Sequence, residues 1–202
     1  MYNPPAFAQD ADASWGIVER AGAALLVGST ASGLSSAMVP VVVEDRRRLL
    51  AHVARANRWW REVPEASEVL ALFLVADAYV SPRYYPSTLE QPAAVPTWNY
   101  VMAEVRGTLR VHDDPAWIES QARALVERFE ADADPRWWVD EAPRDYLETM
   151  VRAIVGIEIE VTSIEGKAKL SQNREARDAA GVRAALAQGS LIERALAQEM
   201  DG

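Results

Sequence analysis

The chain has 202 residues, half of them apolar and a quarter charged, with a net charge of −9 and no cysteine. That is the composition of a globular chain able to bury a real core, and it excludes disulfides, thiolate metal sites and cysteine nucleophiles. The acidic balance argues against a grip on nucleic-acid phosphates, and two histidines, His52 and His112, are too few for a multi-histidine metal site.

Asp12 or Ser14 is expected to cap a first helix running to Arg20, with Gly22 ending it. The N-terminal stretch before it carries no basic region and no long apolar run, so no signal peptide is expected. Ala23–Thr30 reads as a buried strand, with a turn at Ala31-Ser32-Gly33. Leu34–Val43 is a second strand, where Pro40 suggests an edge or a bulge. A polar turn over Asp45–Arg48 leads into a third strand, Leu49–Val53, making a hairpin. Ala54–Glu62 reads as a short helix. Val69–Val75 is apolar at every position and is expected to be buried on both faces.

Tyr79–Pro86 is aromatic and bounded by proline, and Ser87–Val95 is a polar loop. From Thr97 to about His112 the chain alternates with a period of two, a strand signal. Its start is unusual, because Thr97 and Asn99 share the more apolar face with Val101, Ala103 and Val105. Polar groups on such a face need partners. Asp113-Asp114-Pro115 starts a helix, with Ile118, Ala122, Leu125 and Phe129 along one side. Pro143–Ile154 is a second helix, with Tyr146, Leu147, Met150 and Ile154 inward and Gly156 at its end. Ile157, Ile159 and Val161 then alternate with Glu158, Glu160 and Thr162, a half-exposed strand whose carboxylates read as solvated. Arg174–Met200 reads as one or two terminal helices broken near Gly189.

This order predicts an α+β fold with a mostly antiparallel sheet and peripheral helices. The chain is read as one domain, residues 1–202, with a helical extension from about 174 to 202. No run approaches the roughly 20 apolar residues of a membrane span, and the expected location is the cytoplasm.

Four clusters carry the chemistry. They are His52, Arg55 and Asn57; Ser81 with Tyr84 and Tyr85; Pro96, Thr97, Trp98 and Asn99; and Lys167, Lys169, Ser171, Gln172 and Asn173. Together they suit a flat, phosphorylated heterocycle. Arg55, Lys167 and Lys169 are candidates for a phosphate. Trp98 can stack on a ring, and Asn57, Asn99 and Gln172 can read its polar edge. There is no nucleophile elbow, no P-loop and no dinucleotide fingerprint.

The segments HVARAN, YVSPRYYP, VPTWNY and IVGIEIEVTSIEGKAKLSQN, with the opening MYNPPAF, occur in an order that resembles the PaiB family of FMN-binding split-barrel proteins, often labelled negative transcriptional regulators. The resemblance covers roughly Met1 to Leu186. It implies a six-stranded antiparallel split β-barrel like that of the pyridoxamine phosphate oxidases, a homodimer, and FMN in a groove between the subunits. The residues it implies for cofactor binding are His52, Arg55, Asn57, Ser81, Thr97, Trp98, Asn99, Lys167, Lys169 and Gln172. The chain departs from the family pattern at Met38-Val39-Pro40, where a His-Leu-Pro sequence is usual, and at Ala168, where a large aromatic residue is common. The reading is an FMN-binding regulator or flavin-dependent sensor. The alternative is a flavin-dependent oxidoreductase of the pyridoxamine phosphate oxidase type, and a third reading is a regulator that binds no flavin.

Overall fold

The computed structural model describes residues 1–201. Its eight strands are β1 (Ala8–Gln9), β2 (Ala23–Thr30), β3 (Gly33–Pro40), β4 (Val42–Glu44), β5 (Arg48–Ala54), β6 (Glu68–Val80), β7 (Thr97–His112) and β8 (Ile154–Lys169). Six helices accompany them: α1 (Ala11–Ala21), α2 (Trp59–Glu62), α3 (Pro115–Phe129), α4 (Arg144–Arg152), α5 (Ala176–Leu186) and α6 (Leu191–Glu199). The sheet runs β3-β2-β6-β7-β8-β5-β4, with β1 also on β8. β2 is antiparallel to β3 and β6, β5 is antiparallel to β4 and β8, and β1 is antiparallel to β8. The six strands expected are thus eight, because Val41 splits the second predicted strand and β1 adds a short one.

Contacts group the chain into two units, which β6, β7 and β8 both traverse. Unit 1 is Met1–Ala21, Phe73–Glu104 and Glu165–Gly202; unit 2 is Gly22–Leu72 and Val105–Ile164. In unit 1, Ile17 and Val18 of α1, Phe73 and Val80 of β6, Val101 and Ala103 of β7, and Val182, Leu186 and Leu196 of the terminal helices are buried. The core of unit 2 takes Leu26, Val39, Leu49, Val53, Trp59, Ile118, Ile157 and Ile159. β7 begins and ends where its alternation does, with Asn99, Val101, Ala103 and Val105 all buried.

Several expectations need correction. Asp10, not Asp12 or Ser14, caps α1: its Oδ1 accepts from Ala13 N at 2.8 Å. Ser14 lies buried inside the helix, donating to Asp10 O. The helix expected over Ala54–Glu62 shrinks to α2, because Arg55 N is taken by Ala153 O and Asn57 Oδ1 accepts from Trp59 N. β6 is not buried on both faces. Val69, Ala71 and Phe73 face the core, whereas Leu70, Leu72 and Leu74 share the outer face, where Leu74 is 55% exposed. In α4 only Val151 is buried, and Tyr146 and Met150 face outward.

Gly156 lies within β8 rather than ending a helix. A Cβ there would collide with the Trp117 ring and crowd His112. That close approach seats His112 flat on Trp117, 4.0 Å between centroids at an interplanar angle of 6°. His112 Nε2 lies 2.9 Å from Glu158 Oε2. Glu158 is therefore buried and partnered rather than solvated. Among the described residues no helix is long and apolar enough to cross a membrane, and no group of His, Cys, Asp and Glu is arranged to hold a metal ion.

Candidate functional site

The predicted polar residues divide between the two units. In unit 1 the start of β7 lies beside the end of β8. Strand alternation puts Lys167 and Lys169 on one face of β8, and Trp98 and Tyr100 on one face of β7. Lys169 Nζ donates to Trp98 O at 2.7 Å and to Thr97 Oγ1. Lys167 Nζ donates to Tyr2 O at 2.9 Å and lies 5.3 Å from the centre of the Tyr100 ring. Trp98, 48% exposed, donates through Nε1 to Asp77 Oδ2 at 2.8 Å and meets Tyr79 edge-on with ring centroids 6.2 Å apart.

Asn99 is fully buried one position further along. Its Nδ2 donates to Ser171 Oγ at 2.9 Å, and its Oδ1 has no hydrogen-bond partner. Ser171 adopts φ 64°, the left-handed turn that ends the β8 segment. Gln172 folds back on that turn, accepting from Leu170 N and donating to Ala168 O. Its amide is thus bonded to the backbone of that turn on both sides. Ser81 Oγ accepts from Arg83 N at 3.2 Å, capping the short 3-10 turn Pro82–Tyr84.

Burial is the main influence on the Lys169 ammonium, and the charges of Lys167 and Arg174 add to it. Together they hold its pKa below the usual lysine range. A buried cation next to other cations favours its neutral form unless an anion is supplied.

The cluster in unit 2 is satisfied by protein groups. His52 Nδ1 lies 2.8 Å from Gln121 Oε1 of α3. Arg55 donates through Nε to Arg152 O at 2.7 Å, and through Nη2 to Ile154 O at 3.0 Å and Asp113 Oδ1 at 2.5 Å. The Asp113 carboxylate raises the Arg55 pKa, and Arg55 in turn lowers that of Asp113. Asn57 Oδ1 accepts from Trp59 N, the first residue of α2. This arrangement ties the end of β5 to the β8 start and to the segment after β7. Met38 stands 71% exposed on the edge strand β3.

The donor set of unit 1 fits a phosphate-bearing flat molecule. It offers two lysines and a hydroxyl beside an exposed indole, and it leaves one buried acceptor unmatched. Sequence reasoning did not name Arg174, whose guanidinium lies 4.9 Å from the centre of the Tyr85 ring. It sits at what reads as the polar start of a terminal helix, past the turn at Ser171, and its charge acts on both the Lys169 ammonium and the Asp178 carboxylate.

Comparison with known proteins gives the class. The family described as "Putative FMN-binding domain" matches residues 1–163, and the chain belongs to it. FMN is the cofactor of that family. Protease synthase and sporulation protein PAI 2 of Bacillus subtilis is 31% identical over 136 residues, covering 67% of this chain and 62% of that protein. This is the PaiB-type relationship that the motifs point to. The uncharacterized protein AN0679 of Emericella nidulans is 34% identical over 130 residues, 58% of this chain and 51% of that one. The match thus spans only about half to three-fifths of these relatives' own length. Among solved structures, the flavocytochrome Anf3 from Azotobacter vinelandii superposes with a TM-score of 0.58 at 14% identity, over 80% of this chain and 68% of that one. The fold is the antiparallel split barrel with peripheral helices.

Proposed function

We propose that the chain binds FMN on the β7–β8 face of unit 1, works as a homodimer, and acts as a flavin-dependent sensor in regulation. The observation that carries the cofactor site is the pair Lys167 and Lys169, which lies beside Trp98 and Thr97 with no carboxylate partner among the described residues. When bound, FMN supplies electron transfer at its ring. The chain's own part is to hold it: Lys169 and Thr97 at the charged end, and Trp98, fixed through Asp77, against the flat part. His52, Arg55 and Asn57 support the fold of unit 2 in this reading, not the phosphate.

The homodimer is supported by an apolar sheet face in unit 2. Leu25 pairs with Met38 on one side and Leu72 on the other. Leu25, Met38 and the nearby Leu34 are all exposed. A contiguous apolar surface of this kind marks an association site. Regulation is supported by the Bacillus subtilis relative, whose name ties it to protease synthesis and sporulation. The net charge of −9 favours control through a ligand-dependent surface over a direct grip on DNA. The sensor reading is favoured over the oxidoreductase because Asp77, the carboxylate bonded to Trp98, has its Oδ2 engaged by the indole and is not placed as a free acid or base.

Titration of the purified protein with FMN, read by quenching of flavin fluorescence, tests the binding. Saturable uptake of one FMN per chain is expected, and no uptake would refute it. Light scattering tests the dimer: Met38→Glu should yield monomers, and a wild-type monomer at micromolar concentration would end the dimer proposal. Rapid flavin reduction by NADH or NADPH would favour the enzyme over the sensor.

A further inference from the structure

A groove of about 800 Å³ opens within unit 1, between α1, α5 and the end of α6. It lies on the face of the sheet away from Lys167 and Lys169. Alternation along β8 sends Ala168 and Leu170 into it, and Val101 of β7 joins them. Ala13, Ile17 and Arg20 present one side of α1, spaced four and three. Ala176, Ala179, Ala180 and Arg183 present one side of α5. With alanine at three of those four positions, α5 projects only one long side chain, Arg183, into the groove. The volume falls in the range of small-molecule sites, about 300–1,000 Å³.

The charges around the groove are balanced within the fold. Arg20 Nη2 lies 3.0 Å from Glu199 Oε2, and Arg183 is paired with Asp201. These pairs tie the end of α6 to α1 and α5. Among the described residues no other titratable side chain lines the groove. An ion entering it must break one of these pairs or go without a counter-charge, and both are costly. The remaining polar groups are the amides of Gln9, Gln172 and Gln198. Gln172 is bonded to the β8 turn at both ends, whereas Gln9 Nε2 reaches only the Phe7 and Ala8 carbonyls, each at 3.5 Å. An amide both donates and accepts, and carries no charge of its own. The lining therefore suits an uncharged, mostly apolar molecule with a hydrogen-bonding edge. The other face of β8, with two lysines and no acid beside them, suits an anion.

We propose that this groove is a binding site for an uncharged, mostly apolar small molecule, separate from the flavin face. The helices α5 and α6, which form two of its walls, follow the end of the family match at residue 163. The proposal goes beyond the FMN reading and does not rest on it.

Two fluorescent dyes test it, N-phenyl-1-naphthylamine and 1-anilinonaphthalene-8-sulfonate, which share one skeleton and differ in the charged sulfonate. Each is titrated into the full chain and into Ala179→Trp and Glu199→Gln, with native fold checked by circular dichroism. The wild type should take up the uncharged dye saturably and bind the sulfonate about tenfold more weakly or worse. Ala179→Trp, which puts an indole into the groove, should lose about tenfold or more in affinity for the uncharged dye. Glu199→Gln, which leaves Arg20 without its acid, should strengthen sulfonate binding several-fold and leave the uncharged dye unchanged. Should Ala179→Trp fail to fold, Ala180→Phe on the same wall carries the same test. No saturable uptake, or uptake unchanged in the filled variant, would overturn the site. A wild-type preference for the sulfonate would overturn the ligand class. Displacement of the uncharged dye by FMN would overturn the separation from the flavin face. A wild-type dimer that becomes monomeric in Ala179→Trp would make the groove a contact between copies and overturn the proposal. If the uncharged dye binds as expected and FMN does not bind at all, the groove stands and the FMN reading falls.

Discussion

The two units use similar polar residues to opposite ends. In unit 2, Arg55 meets two backbone carbonyls and Asp113, His52 meets Gln121, and His112 meets Glu158. Each of these charged groups has its partner within the fold, although the buried Nε2 of Gln121 is left without one. In unit 1, Lys167 and Lys169 have carbonyls, a hydroxyl and aromatic faces but no acid. A motif rich in Arg, His and Asn can therefore be part of the scaffold, while lysines on a strand that reads as a solvated edge can be a site. What separates them is whether the charges are balanced locally. A balanced cluster stabilises the fold, whereas an unbalanced one is destabilising until a ligand completes it.

That contrast can be broken most severely in unit 2 at Gly156. Gly156→Val should cost upwards of about 3 kcal/mol, since the added side chain must displace the Trp117 ring and with it the His112–Glu158 contact. Thermal unfolding checks this, and a wild-type Tm would mean that the ring stack is not rigid.

Lys167→Met tests unit 1 in the opposite sense. Removing a buried, unpaired charge while keeping the volume should stabilise the ligand-free protein by about 1 kcal/mol and weaken FMN binding about tenfold. Denaturant melts and FMN titration on the same samples would show the two effects with opposite sign. Loss of stability together with affinity would make Lys167 a scaffold residue like Arg55.

Arg55→Met supplies the counterpart. It frees the carbonyls of Arg152 and Ile154 and the Asp113 carboxylate. The Tm should fall, while the FMN-to-riboflavin affinity ratio stays within about twofold of wild type, well under the tenfold of a lost phosphate contact. A collapse of that ratio would return the phosphate to unit 2.

The smallest effect is on pH dependence. The Lys169 pKa is lowered in the folded chain, from the ordinary value of 10.5. Between its folded and ordinary values the unfolded chain binds the extra proton, so this group makes the ligand-free protein gain stability as pH rises through that window. FMN affinity should fall over the same window as the ammonium is lost. Titrations from neutral to alkaline pH would show it, and Lys169→Gln should flatten both trends.

The sequence carried much of this frame, and unevenly. β7 was legible from end to end because its alternation is strict and Asp113-Asp114-Pro115 closes it; Asp114 caps α3 by accepting from Trp117 N. The bounds of β2 were equally plain, although the strand expected to be buried is buried on one face only and leaves Leu25 exposed. β6 misled because a run of Leu, Val and Phe looks the same whether its outer face is buried or only apolar. Glu158 misled because its partner, His112, lies 46 positions away and is itself seated by Trp117, whose place depends on the missing side chain of Gly156. Within the candidate site, Lys169 and Thr97 were named by motif, and their direct bond spans 72 positions. Arg174 was illegible, since nothing local distinguishes it from the other charged residues opening α5.

The central claim is that unit 1 holds a phosphorylated flavin, and the absorption spectrum of the protein purified without added cofactor tests it most directly. A yellow protein with flavin absorption, releasing FMN rather than riboflavin on denaturation, is expected. A colourless protein that stays colourless after incubation with FMN and desalting would contradict it.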